Sequence, residues 1–178
     1  LLFERRQALS PKHPFFEHAI WQGWVAYRDK QPSGRISAQI DSLYEARHGE
    51  RVGYFGMLEA PDDPALFQKL FAAAEAWLQA QGAVRAVGPF NLGINQELGI
   101  LVEGFDTPPY FMMPHGRPYY PAAVEAAGYA PAQDLLAYVV APDFEAPPVM
   151  AALLKRLGNQ VKLRKLDTRN TEAELEIL

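Results

Sequence analysis

The spacing of apolar side chains along this chain changes near residue 63, and that change constrains the fold more than any bulk property does. Between residues 24 and 59 the spacing is two. The runs 24–28 (WVAYR) and 35–41 (RISAQID) read as strands joined by the turn-forming stretch DKQPSG. This predicts a hairpin whose loop is slightly longer than the tightest turns. In the second run Ile36, Ala38 and Ile40 alternate with Arg35, Ser37, Gln39 and Asp41, so one face is expected in the core and the other in water. A third strand, 51–59 (RVGYFGMLE), follows the polar linker EARHGE. Gly53 and Gly56 pack poorly in a strand and point to a bulge or a close backbone approach.

From residue 64 the spacing is helical. Leu66, Leu70, Ala74 and Trp77 recur on one stripe, widened by Phe67, Phe71 and Leu78. Asp63 is the expected N-cap, Pro64 suits the first helical position, and Gly82 ends the helix. The run 83–90 (AVRAVGPF) then reads as a short buried strand, parallel to the third because a helix crosses between them. Residues 91–118 are irregular, with four prolines and Gly93, Gly99, Gly104 and Gly116. A loop of that length is usually functional or disordered. Beyond it lie a helix at about 119–127 ending at Gly128, a strand at 133–140 (QDLLAYVV), the linker APDFEAPP, a helix at 149–157 and a strand at 161–166 (VKLRKL). The expected class is α+β (mixed α/β): an antiparallel meander, a βαβ crossover and a final α-β unit. Residues 1–145 are expected to form one domain. Residues 146–178 are expected to form a tail leading to a region outside this chain.

Composition narrows the function classes. Of 178 residues, 49% are hydrophobic and 17 Lys and Arg oppose 21 Asp and Glu, a net charge of −4. Such a chain buries a core, and no basic excess advertises a phosphate-binding surface, so no nucleic-acid partner is expected. With 0 cysteines, disulfides, thiolate nucleophiles and cysteine zinc sites are excluded. No apolar run approaches the roughly 18 residues of a spanning helix, so no membrane partner and a cytoplasmic location are expected. His13 and His18 lack the i, i+4 spacing of a helical metal pair, and no metal is expected.

The element order and two segments, WVAYRDKQPSGRISA and VEAAGYAPAQDLLAYVV, resemble the GNAT superfamily, the acyl-CoA N-acyltransferase fold, over about residues 15–140. GPFNLGINQELGILVEGF and TPPYFMMPHGRPYY look like stretches of uncharacterised bacterial proteins carrying GNAT-like domains. The resemblance implies transfer of an acyl group from an acyl-CoA-type thioester to an amine, in a cleft between strands 51–59 and 83–90. It implies that backbone amides at Gly56, Met57 and Leu58 hold the donor and its oxyanion. Two departures stand out. The glycine-rich loop that would grip the coenzyme pyrophosphate is replaced by Glu59-Ala60-Pro61-Asp62-Asp63-Pro64, which lacks glycine and carries three acids. The tyrosine that often serves as general acid is replaced by Val124, with Tyr119 and Tyr120 one turn earlier.

Candidate groups follow the central strand. Asn91, Asn95, Gln96 and Glu97 lie where an open sheet holds ligands. The amides would orient a substrate and Glu97 would act as base; Asn91 and Asn95 equally suit a turn around Gly93. His115 is the second candidate base, or a loop histidine bonded to backbone. Tyr120 is the candidate acid. Tyr110 and Tyr119, with Phe105, Phe111, Met112 and Met113, would line an apolar pocket, cover the sheet edge or meet a partner. The basic stretch Lys155, Arg156, Lys162, Arg164, Lys165 and Arg169 reads as surface for an anion or protein, and Glu172, Glu174 and Glu176 as a solvated helix face. The alternative to an enzyme is a non-catalytic binding module with an aromatic and methionine-lined pocket.

Overall fold

The computed structural model describes residues 7–111, 113–140, 143, 145, 147–160 and 164–177. Met112 and residues 161–163, including Lys162, lie outside the described residues, and with them half of the strand expected at 161–166. The chain divides into two compact units, Leu1–Asp134 and Leu135–Leu178.

The first unit opens with a short 3-10 turn, Pro14–Glu17, whose first amide donates to the ring of His13. Strand β1 (Ala19–Arg28) pairs antiparallel with β2 (Gln31–Asp41). The turn between them is tighter than the expected DKQPSG loop. Only Asp29 and Lys30 intervene, both with positive φ (50° and 63°), the geometry whose twist matches two paired strands. Asp41 then caps helix α1 (Ser42–His48), accepting from the Leu43 amide, and Gly49 ends it at φ 70°. Sequence spacing gave no hint of α1, because the helix buries no residue and so has no apolar stripe.

Strand β3 (Val52–Glu59) lies antiparallel to β2. Helix α2 (Pro64–Ala80) crosses over to β4 (Arg85–Val87), which is parallel to β3. The sheet order is β1-β2-β3-β4. Asp63 accepts from the amides of Ala65 and Leu66, as a cap should. Ile36, Ala38, Ile40 and Phe55 pack against Leu66, Phe67, Leu70, Phe71, Ala74 and Leu78 to form the main core. Helix α3 (Tyr120–Ala126) closes the core's edge with Tyr120 and Val124, and Tyr129 packs on Phe55 and Phe71.

The other face of β2 is not wet. Ser37 and Gln39 are each 2% exposed, because residues 90–98 fold back over that face. The bridge Phe90↔Leu98 closes this flap, and Leu92 joins Phe15 and Ala19 in a second small core. Gln39 holds the flap with both ends of its amide. Its Nε2 donates to the Leu92 carbonyl at 2.8 Å and its Oε1 accepts from the Leu92 amide at 3.1 Å. Gln39→Leu leaves two buried backbone groups unpaired, at about 1–3 kcal/mol for each. Urea unfolding should show that loss, and amide exchange at Leu92 should quicken more than exchange in α2.

The strand expected at 133–140 is absent. Leu135, Leu136, Tyr138, Val139 and Val140 are exposed and carry no ladder. Strand preference describes comfort on a half-buried pleat, and these side chains are exposed rather than packed on one. In the second unit, α4 (Pro148–Leu157) leads into a 3-10 turn, Gly158–Gln160, and α5 (Thr171–Leu175) follows. Residues 164–166 form no strand. Among the described residues no helix is long and apolar enough to cross a membrane.

Candidate functional site

Strands β3 and β4 form a short ladder, from Val52↔Arg85 to Tyr54↔Val87. Beyond it the chain stays against β3, with the Phe90 amide donating to the Phe55 carbonyl at 2.7 Å, while β3 runs on to Glu59. Two features shape the end of β3. Ser37 faces Gly56 but Arg35 faces Glu59, so Met57 and Leu58 together oppose Ile36. This is a bulge, and Met57 takes φ 48° to make it. At Gly56 the flap comes so close that a Cβ would lie 2.4 Å from the Phe90 carbonyl oxygen and 2.6 Å from Asn91 Oδ1. Both the bulge and the close approach foreseen from the two glycines are therefore present; at Gly53 a Cβ would meet Leu78 at 2.6 Å.

Past the end of this ladder lies a cleft of about 340 Å³. Met57, Leu58 and Glu59 of β3 line it with Pro89, Asn91 and Glu97 of the flap and with Pro114, His115, Gly116, Arg117 and Tyr120. A wider, shallower depression of about 550 Å³ sits at the opposite end of β4. There the Glu75 carboxylate already accepts from the Tyr129 hydroxyl at 2.8 Å, and no histidine lines it. The cleft at the carboxyl ends of the parallel pair is the chemically furnished one.

Within the cleft each side chain has a defined task. Asn91 Oδ1 accepts from the Met57 amide at 2.7 Å, so two residues expected in separate roles form one unit that fixes the bulge. Tyr120 is 6% exposed; its hydroxyl donates to Glu59 Oε2 at 2.9 Å and accepts from the Ala60 amide at 3.1 Å. Burial above all, with the Glu59 bond adding, pushes the Tyr120 phenol up to about 12, so it keeps its proton at neutral pH. His115 Nε2 lies 2.8 Å from the Thr107 carbonyl. A carbonyl only accepts, so Nε2 carries the hydrogen and Nδ1 of the neutral ring holds the lone pair. Glu97 is half-buried on the flap, and its backbone carbonyl accepts from the Asn91 amide.

Of the residues singled out from sequence, Met57, Leu58, Asn91, Glu97, His115 and Tyr120 thus share one cleft. Gly56 lies beside it as the point of close approach. Asn95 and Tyr110 are exposed and do not line it. Tyr119 is turned away: its hydroxyl donates to the Ala60 carbonyl at 2.8 Å, so it steadies the loop after β3. The sequence reading missed Arg35, Glu59 and Arg117 as cleft residues. Arg35 Nε donates to the Met57 carbonyl at 3.2 Å and its Nη2 lies 3.8 Å from Glu59 Oε1. Arg35 looked like an ordinary residue of a wet face. Arg117, between His115 and the two tyrosines, carried the better signal.

The start of α2 is closed to anions. Asp63 uses the Ala65 and Leu66 amides, its carboxylate meets Arg28, and that guanidinium holds the Asp63 carboxyl below the usual range. Positive charge open to a ligand comes instead from Arg35 and Arg117. Among the described residues no group of three acidic or histidine side chains could hold a metal ion.

Tyr54 and Tyr120 are each pushed up to about 12, mainly by burial, and Tyr129 is pushed up further by burial and its Glu75 bond. An unfolded tyrosine ionises near 10. The folded state therefore favours the neutral phenol, and the resulting stability is intact below about pH 10 and lost as pH rises through about 12. Denaturation midpoints measured across this window should fall steeply, and Tyr120→Phe should make that fall shallower.

Comparison with known proteins gives two curated relatives. The whole chain aligns at 48% identity over 179 residues with Protein YghO of Escherichia coli (strain K12), covering 46% of that protein. It also aligns at 49% identity over 181 residues with Bacterial ceramide synthase of Caulobacter vibrioides (strain NA1000 / CB15N), covering 47% of it. The chain thus spans about half the length of the curated relatives it matches. No protein-family model and no solved structure matches it.

Proposed function

We propose that this chain forms the acyl-transfer portion of an N-acyltransferase of GNAT-like fold that joins a fatty acyl group to the amine of a long-chain amino alcohol. The observation that carries the reading is the 49% identity, over the whole chain, to a bacterial ceramide synthase. A ceramide is the amide of a fatty acid with such an amino alcohol, so its synthesis forms an N–C bond. The cleft supports the same reading, since it lies past the carboxyl end of the parallel ladder and holds two carboxylates, an oriented imidazole and two guanidiniums.

In this reaction the amine nitrogen attacks the carbonyl carbon of an acyl-CoA-type thioester. The N–C bond forms, the C–S bond breaks and the thiolate departs. Glu97 draws the substrate's ammonium into the cleft. The ammonium first gives up one proton to water to become the attacking amine. His115 Nδ1 takes the second, lost as the amide forms, and hands it to the departing thiolate. The Thr107 carbonyl keeps the ring in the tautomer that can do so. Arg35 and Arg117 offset the charge that builds on the carbonyl oxygen and the donor.

One observation favours the second reading, a non-catalytic binding module. Asp63 and Arg28 occupy the anion site at the start of α2, where a GNAT-like enzyme would grip its coenzyme. Calorimetry with a long-chain acyl-CoA tests the two. Saturable binding that Arg117→Glu weakens supports the enzyme; no binding to the folded protein supports the module.

A further inference from the structure

Helix α4 (Pro148–Leu157) is two-faced, and its apolar side is exposed among the described residues. Val149, Met150, Leu153, Leu154 and Leu157 are between 42% and 65% exposed. At 3.6 residues per turn they fall within an arc of roughly 140°. Lys155 lies opposite this stripe and Arg156 beside its edge, and among the described residues no hydrogen bond or ion pair engages either. The basic character continues beyond the helix: residues 149–169 hold six Lys and Arg (155, 156, 162, 164, 165, 169) against the single acid Asp167. Arg164 is tied to Glu174 and Arg169 to Asp167, whereas Lys165 joins Lys155 and Arg156 as an unengaged cation.

This composition differs from that of the exposed run at 135–140. That run is apolar on every side and uncharged, so nothing in it selects a partner. Helix α4 pairs an apolar stripe with positive charge, the two halves of a surface that an anionic lipid layer matches: hydrocarbon for the stripe and phosphate for the cations. A helix of this length is marginal in water on its own, and a lipid interface would bury the stripe that water leaves exposed.

We infer that α4 and its basic extension dock this protein peripherally on an anionic phospholipid surface, lying in the interface rather than crossing it. The inference rests on the acyltransferase reading for its rationale, because both a fatty donor and a long-chain amine would be collected at such a surface.

The test is co-sedimentation of the full chain with vesicles of mixed phosphatidylglycerol and phosphatidylcholine, and with phosphatidylcholine alone. The expected result is binding to the anionic vesicles that weakens with salt and is far weaker on the neutral ones. Each basic side chain beside an anionic leaflet is worth roughly fivefold in partitioning, so Lys155→Glu/Arg156→Glu should lower binding by about 25-fold or more. Those side chains are exposed and make no hydrogen bond or ion pair among the described residues, so the variant should fold, as circular dichroism would verify. Leu153→Asp/Leu154→Asp should abolish binding. Absence of binding at low salt, equal binding to both vesicle types, or unchanged binding by both variants would overturn the inference. So would self-association through this face, lost in the Leu153→Asp/Leu154→Asp variant, without vesicle binding. Vesicle binding requires no turnover: binding without amide formation would count against the acyltransferase reading alone, and amide formation without binding against this inference alone.

Discussion

Replacing His115 with Ala is expected to lower the turnover number for amide formation by about 10²–10⁴-fold, the usual worth of a positioned general base, with little change in KM. The imidazole lines a cleft that also holds two carboxylates and two guanidiniums. Its Nε2 is held at 2.8 Å by the Thr107 carbonyl, which leaves Nδ1 as the acceptor. His115→Gln, whose amide can still donate to that carbonyl but offers no basic nitrogen, should recover little. Glu97→Gln should behave differently. It removes the charge that attracts the ammonium, so KM for the amine should rise while the turnover number changes less. Steady-state kinetics of both variants check the assignment. Equal effects on KM and turnover from the two would show that the roles are not divided in this way.

The second large effect concerns the fold beneath the cleft. Phe55→Ala should destabilise the protein by about 3–5 kcal/mol, as large-to-small changes of buried aromatics do. Phe55 is 0% exposed and meets the Phe71 ring edge-on at 5.2 Å and the Tyr129 ring at 5.0 Å. Against a typical domain stability of about 5–15 kcal/mol, that loss is a large fraction. It should also loosen the cleft, because the Phe55 carbonyl accepts from the Phe90 amide at 2.7 Å and holds the root of the flap. Urea unfolding reads the first effect. Amide exchange at Phe90, faster than in the sheet between β1 and β2, reads the second.

What could be foreseen from sequence, and what could not, follows the range of the forces involved. The meander, the long helix with its Asp63 cap, and the parallel direction of β4 depend on neighbours a few residues apart, and they stand as read; β4 itself is only Arg85–Val87, not the buried strand expected over 83–90, with Val84 69% exposed. Ser37 and Gln39 were misjudged as wet because the flap that covers them comes from residues 90–98; the Gln39–Leu92 bonds span 53 positions. The short helix α1 escaped notice because capping, not an apolar stripe, defines it. The run at 133–140 has strand chemistry, but Leu135, Leu136, Tyr138, Val139 and Val140 are exposed rather than packed on a pleat. In the cleft, Asn91, Glu97, His115 and Tyr120 were visible as unusual polar groups in an irregular stretch. Arg35 and Glu59 were not, since only the bulge at Met57 brings them to its rim. The expectation of no membrane partner rested on apolar length, which bears on spanning; α4 shows that a helix too short to span can still carry two distinct faces.

The central claim is that the cleft past the β3–β4 ladder forms an amide bond. Its most direct test is mass-spectrometric detection of product when the purified protein is given a long-chain acyl-CoA and a long-chain amino alcohol. The account predicts an N-acyl product that the parent protein makes and the His115→Ala variant makes at least about 10²-fold more slowly. Product formed equally by parent and variant, or no product from a folded protein that binds both substrates, would contradict it.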